Sequence, residues 1–236
     1  MVEALLRRQW SPEQVAGYLR KQRELLVSHE TIYRHIWQDR KHGGTLFKHL
    51  RGARKQRRKR YGYYDSRGRL AGKRHISTRP ASVENRRQSE HWEIDTVMGT
   101  GYQDCILSLV ERKTGFLLIG KLANLTTKSL NQRVIPLIKQ HAGAFKTITA
   151  DNGTEFHDYK DIEQSTKATF YFATPHHAWE RGSNENANGL IRQYLPKGAS
   201  MVGLTQRRCN AISHQLNTRP RKRLGFKTPL ECSNAN

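Results

Sequence analysis

The chain has 236 residues, enough for one sizeable core and a small satellite domain. Its 42 Lys and Arg against 20 Asp and Glu leave a formal net charge of +22 and a pI near 10.4. Such an excess points to a polyanionic partner, nucleic acid first, and an anionic membrane surface is the competitor. No apolar run approaches the ~20 residues that span a bilayer, and Met1 to Arg8 is too short in apolar length for a signal peptide. A cytoplasmic protein without a membrane partner is expected. Cys105, Cys209 and Cys232 are scattered and form no C-x-x-C pair, which argues against a disulfide framework or a four-thiolate zinc site.

The first sixty residues read as short helices. Val2 to Gln9 carries Leu5 and Leu6. Trp10-Ser11-Pro12-Glu13-Gln14 is a helix start: Ser11 caps, Pro12 takes the first helical position and Gln14 completes a capping box. Val15, Tyr18 and Leu19 form its apolar stripe. Ser28 caps another helix running through Trp37, with Ile32 and Ile36 facing inward and His29, Thr31, Arg34 and His35 on other faces. Two short capped helices and a turn resemble a helix-turn-helix. Its second helix would enter a major groove by its N-terminal end, with His29, Thr31 and Arg34 as candidate DNA contacts. The competing reading is a packing appendage.

Residues 51–60 hold seven cations in ten, among them Arg54, Lys55, Arg57 and Arg58. A run this dense repels itself and buries no face. Along phosphates it would add salt-dependent, sequence-blind affinity. Tyr61, Tyr63 and Tyr64 follow, then a stretch to residue 90 with little periodicity, read as an arm or linker.

From His91 the pattern changes. Trp92, Ile94, Thr96 and Met98 alternate with Glu93, Asp95 and Val97, the period of a strand. Cys105–Val110 and Gly115–Leu122 are two more apolar runs on short connections, implying an antiparallel meander. Thr126–His141 reads as a helix with Pro136 inside it, Phe145–Ala150 as a strand, Asp158–Lys167 as a helix and Thr169–Ala173 as a strand. Two helices follow, the first from the 174–192 stretch and the second over Thr205–Asn217. The order βββ-α-β-α-β-α-α is that of an RNase H-like α/β domain, a mixed five-stranded sheet with flanking helices, here preceded by a small helical domain.

Three carboxylates are candidates for one site. Asp95 lies within the first strand, Asp151 ends the fourth before Asn152-Gly153, and Glu185 is on the later helix. On that helix Glu185, Asn188, Gly189 and Arg192 share a face at i, i+3, i+4 and i+7. If the first and fourth strands are neighbours, the aspartates are adjacent and a packed helix can bring Glu185 to meet them. Converging carboxylates repel unless a cation neutralises them, and hard divalent ions prefer such oxygen ligands. Two ions ~3.5–4 Å apart can drive an in-line phosphodiester displacement. Each residue also has a plain reading: an exposed strand position, a turn cap in Asp-Asn-Gly, a surface helix residue. Glu93, Glu155, Asp104 and Glu180 are rivals, Glu93 foremost because it shares a strand face with Asp95.

His91-Trp92-Glu93-Ile94-Asp95-Thr96-Val97, Asp151-Asn152-Gly153-Thr154-Glu155-Phe156, Trp179 through Arg192 and Leu195-Pro196-Lys197-Gly198 together resemble the DDE transposases of the IS-thirty insertion-sequence family. The 33 residues between Asp151 and Glu185 are similar to that family's spacing, as is an arginine seven positions after the glutamate. The resemblance covers roughly residues 10–230. It implies Asp95, Asp151 and Glu185 as a metal-binding triad in a bacterial, integrase-like catalytic core over residues 89–230. The expected flanks are a helix-turn-helix-like region over 1–50, a basic arm over 51–88 and a tail over 231–236. It implies Mg²⁺, or Mn²⁺ in its place, in two ions. It implies cleavage of double-stranded DNA at the element's inverted repeats and strand transfer into target DNA by a homo-oligomer. Arg192 and Lys197 then contact DNA, and Asn152 and Asn188 support substrate or metal. Family members carry a longer N-terminal region, so a front-truncated chain is expected. A truncated copy that only binds DNA is the alternative function.

Overall fold

The computed structural model describes residues 1–51, 72–100, 104–141, 143–175 and 177–235. The basic run with Arg54, Lys55, Arg57 and Arg58, and the tyrosines after it, lie outside the described residues. In chain order the helices are α1 Val2–Arg7, α2 Pro12–Lys21, α3 His29–Lys41, α4 Thr127–Gln140, α5 Tyr159–Thr166, α6 Gly182–Ile191, α7 Gln206–Asn217 and α8 Pro229–Asn234. The strands are β1 His91–Met98, β2 Cys105–Glu111, β3 Leu117–Leu122, β4 Thr147–Ala150 and β5 Thr169–Phe172. They form two compact units, Met1–Tyr63 with Asn217–Asn236, and Tyr64–Leu216.

In the first unit Ser11 and Gln14 make the expected capping box of α2, and Ser28 caps α3. Leu5, Leu6, Trp10, Val15, Leu19, Ile32, Ile36 and Leu46 close its core. Its C-terminal part differs from expectation: residues from Asn217 onward belong here and not to the sheet-bearing unit. Gln14 Nε2 donates to the Pro220 carbonyl at 2.8 Å, Lys222 pairs with Glu13 at 2.7 Å, and buried Arg219 donates to Gln9 Oε1 at 3.0 Å. An added Cβ on Gly17 would run into the Phe226 ring. These links are polar and some two hundred residues apart in sequence, so no apolar periodicity announces them.

The second unit carries a five-stranded sheet in the order β3-β2-β1-β4-β5. β1–β2 and β2–β3 are antiparallel, while β1–β4 and β4–β5 are parallel. This is the RNase H-like arrangement. One face packs Trp92, Ile94, Leu107, Leu109, Ile148 and Phe170 against α4 and α5 through Leu130, Val134, Ile138 and Ile162. The other packs Val97, Ile106, Val110 and Ile119 against α6 and α7 through Ala187, Leu190, Ile191, Ile212 and Leu216. α4 continues through Pro136.

Residues from Gly72 to Glu90 were expected in a linker and instead belong to this unit. His75 bridges Phe172 in parallel beside β5, and Phe172 N–H donates to the Arg74 carbonyl at 2.8 Å. Val83 is buried, and buried Arg79 donates to Thr149 Oγ1 at 2.7 Å. The segment is held by individual polar contacts, which leave no period in the sequence.

Candidate active site

β1 and β4 pair as His91↔Thr147, Trp92↔Ile148 and Glu93↔Thr149. Continuing that register by two residues places Asp151, the first residue after β4, beside Asp95. Strand alternation turns both toward the face covered by α6 and α7, where Val97 also points. Asp95 Oδ1 accepts the Thr96 N–H at 2.9 Å, and its Oδ2 accepts Asn188 Nδ2 of α6 at 2.7 Å. Asn188 Oδ1 in turn accepts from Ser108 Oγ of β2 at 2.9 Å. Asp151 Oδ1 accepts the Gly153 N–H at 2.8 Å. Burial pushes the Asp95 carboxyl up to about 6; the Arg181 guanidinium opposes this and the Asp151 charge adds to it.

A cation stands between the two aspartates. Arg181 Nη2 lies 3.1 Å from Asp151 Oδ2, and Nη1 lies 3.7 Å from Asp95 Oδ1 while donating to the Ile94 carbonyl at 3.1 Å. Lys73 is close by: its ammonium feels Asp151 and Glu155, approaches Asn152 Oδ1 at 3.5 Å and covers the Phe172 ring, and burial lowers its pKa. Asn152 Nδ2 donates to the Ala173 carbonyl at 2.7 Å, so this amide ties the loop after β4 to the end of β5.

Gly153 leaves room for this loop. Buried Glu155 folds back over it and accepts Thr96 Oγ1 at 2.8 Å. A Cβ on Gly153 would collide with the Glu155 carboxylate and stand 3.0 Å from Asp151 Oδ1. Gly153→Ala is therefore expected to shift Asp151 and to lower activity by about 10²-fold, the usual cost of an ångström-scale misplacement. Steady-state rates beside a melting curve check it.

Glu93, the foremost rival, is fully buried and already employed. It accepts Arg112 Nη1 at 2.7 Å and the backbone N–H of Asn184, in the first turn of α6, at 2.9 Å. Arg112 also reaches Glu84 at 3.2 Å, and Glu84 pairs with Arg79. Glu93 thus fastens the start of the helix that carries Glu185. Glu180 accepts the Thr174 N–H at 2.7 Å and its hydroxyl at 2.9 Å. Asp104 accepts the Met201 N–H at 3.2 Å.

Glu185 is exposed in the first turn of α6 and makes no hydrogen bond or ion pair among the described residues. No group of three His, Cys, Asp or Glu side chains is gathered as a metal cage among the described residues. The structure therefore brings Asp95 and Asp151 together and leaves Glu185 apart from them, one turn before the Asn188 that touches Asp95. Two carboxylates converging on one cationic group are hard oxygen donors of the kind Mg²⁺ and Mn²⁺ take, so the donor set fits such an ion at Asp95 and Asp151.

Arg192 Nη2 donates to the Met98 carbonyl at 2.8 Å and Nη1 to the Leu195 carbonyl at 3.4 Å, pinning the end of α6 to the end of β1. Lys197 is exposed. In the first unit His29, Thr31 and Arg34 are exposed on α3, and Thr31 Oγ1 bonds Ser28 Oγ at 2.9 Å. Arg181 and Lys73 escaped the sequence reading. Arg181 precedes α6 with non-helical backbone (φ −121°, ψ 39°), so no helix periodicity announces it, and Lys73 lies in an irregular segment.

No protein-family model matches the chain. It is 41% identical over 227 residues to the transposase of insertion sequence element IS4351 from Bacteroides fragilis, covering 96% of this chain and 70% of that protein. It is 36% identical to the transposase of IS1086 from Cupriavidus metallidurans, covering 98% of this chain and 70% of that one. Against transposase InsI of IS30A from Escherichia coli K12 it is 36% identical over 96% of this chain and 61% of that protein. Among solved structures, the catalytic core domain of BIV integrase superposes with a TM-score of 0.50 at 20% identity, over 63% of this chain and 95% of the core, a likeness of fold. By sequence over nearly its whole length, and with an integrase-core fold around the paired aspartates, the chain belongs to the IS30 family of transposases.

Proposed function

We propose that the chain is a metal-dependent DNA transposase that cleaves at element ends and transfers a DNA 3′-hydroxyl into target DNA. The observation that carries this is the pairing of Asp95 and Asp151 on one sheet face beneath the helix bearing Glu185. Asp95, Asp151 and Glu185 would hold Mg²⁺ or Mn²⁺. When bound, such ions supply activation of an attacking oxygen and stabilisation of a leaving oxygen. The chain's own residues do the rest. Asn188 and the Thr96 N–H fix both oxygens of Asp95, Gly153 N–H fixes one oxygen of Asp151, and Glu93 holds the start of α6, the helix that bears Glu185. Arg192 and Lys197 at the end of α6, and His29, Thr31 and Arg34 on α3, are the candidate DNA contacts, with the basic run adding salt-dependent affinity.

The test is Mg²⁺-dependent joining of a 3′-hydroxyl inverted-repeat end to a target plasmid. Joined product that requires the metal supports the proposal. DNA binding with neither cutting nor joining, indifferent to Mg²⁺, would favour the binding-only reading. Cutting without joining would favour a nuclease.

Asp95 gives a pH prediction. Its folded pKa lies above its unfolded value, so the native state keeps the proton longer as pH rises. Stability from this group is present below pH ~4, falls as pH climbs to about 6, and stays lost above. Without metal, Asp95→Asn is therefore expected to melt higher than wild type at pH 7, with the advantage gone below pH ~4. Melting curves at the two pH values decide it.

A further inference from the structure

We propose that Arg181 is a built-in counter-cation of the carboxylate site, filling the place between Asp95 and Asp151 that a divalent ion must take from it. The inference rests on the reading of these aspartates as metal ligands.

The geometry points to competition for the same oxygens. Asp95 Oδ2 is taken by Asn188, and Asp151 Oδ1 by the Gly153 N–H. The opposite oxygens, Asp151 Oδ2 and Asp95 Oδ1, face Arg181, the latter at 3.7 Å while it also accepts the Thr96 N–H. A planar guanidinium can face both while donating to the Ile94 carbonyl. Its side chain is only 13% exposed, so the charge pair is largely shielded from water and strengthened by that shielding. An ion held by both aspartates would compete with Arg181 for lone pairs on these oxygens.

The place of Arg181 in the chain adds a second element. It is the residue before α6, followed at once by Gly182, around which a Cβ would meet nothing within 4 Å. Glu185 lies four residues on, in the first turn of α6. Arg181 is in the site, whereas Glu185 is out of it and unpaired among the described residues. Withdrawing the arginine removes one positive charge, and bringing in the glutamate adds one negative charge. The protein's contribution to the site then falls by two, the charge that one divalent ion supplies. Metal entry, arginine exit and glutamate entry form one exchange about the first turn of α6.

The test uses the full chain without DNA and Mn²⁺ as the probe, by titration calorimetry with melting curves alongside. Arg181→Gln is expected to bind Mn²⁺ about tenfold tighter than wild type or better, Arg181→Lys to fall between them, and Asp95→Asn in the Arg181→Gln background to lose the gain. Lys73→Gln removes a nearby positive charge that does not stand between the aspartates, and is expected to change Mn²⁺ affinity less. Equal or weaker binding by Arg181→Gln overturns the proposal, as does an equal gain from Lys73→Gln, which would make the effect one of distant charge. A purely structural Arg181 would lower the melting temperature and leave Mn²⁺ affinity unimproved. Should Arg181→Gln fail to fold, Arg181→Lys decides: a single ammonium cannot face both carboxylates as the fork does, so its affinity must exceed that of wild type. If Asp95→Asn weakens Mn²⁺ binding in the wild-type background and Arg181→Gln brings no gain, the counter-cation idea fails alone. If Mn²⁺ binding ignores Asp95 in every background, the metal-ligand reading fails with it.

Discussion

Asp95→Asn, Asp151→Asn and Glu185→Gln are each expected to reduce Mg²⁺-dependent joining on the order of 10³-fold or more, as loss of a group that acts only with its partners does. The three substitutions are isosteric, so they remove charge and keep shape. Asn at position 95 still offers an oxygen to one of the donors around it, Thr96 N–H or Asn188. Glu185 is the most telling of the three. It is exposed and unpaired among the described residues, so it holds nothing in the fold, and Glu185→Gln should melt as wild type does. A fall in joining at unchanged melting temperature would assign it to the chemistry. Full joining by that variant would remove Glu185 from the site and leave the two aspartates. Glu155→Gln serves as the contrast: it keeps an acceptor for Thr96 Oγ1 and is expected to cost much less.

Glu93→Ala should act through stability. Glu93 is the fully buried partner of Arg112, and it also accepts the Asn184 N–H at the start of α6. Truncating it leaves a buried guanidinium with Glu84 alone and a buried N–H with no acceptor. Breaking a buried pair in this way costs about 3–5 kcal/mol. For a chain of this size that is a fall in melting temperature of roughly 6–20 °C. Glu93→Gln keeps an acceptor for the amide and loses only the charge, so its loss should be smaller. Thermal unfolding of both variants checks this. A Glu93→Ala protein that melts normally and is inactive would return Glu93 to the list of catalytic groups.

These two predictions divide the carboxylates in a way the sequence could not. Strand alternation put Glu93 and Asp95 on one face and made Glu93 the foremost rival of Asp95. What separates them is Arg112, nineteen residues later in a turn, and a backbone N–H of α6, neither of which has a sequence period. By contrast, the order of strands and helices, the capping box at Ser11 and the pairing of Asp95 with Asp151 were legible. They depend on local propensity and on the register of two neighbouring strands. Arg181 falls within the motif from Trp179 to Arg192, yet its role is set by where α6 begins and how it docks, which is tertiary. The same holds for the segment after Asn217: its charged residues carry no apolar stripe, so its place with the N-terminal helices emerges only from contacts such as Gln14 with Pro220.

On the proposed function, Asp95, Asp151 and Glu185 hold the catalytic ions. Anomalous scattering from Mn²⁺ in crystals of the chain bound to an inverted-repeat DNA end tests it most directly. A peak is expected within about 2.0–2.3 Å of oxygens from both aspartates, the usual range for such ions, with Glu185 turned in as a ligand and Arg181 withdrawn. A peak-free map around Asp95 and Asp151, with Arg181 still between them while DNA is bound, would contradict it.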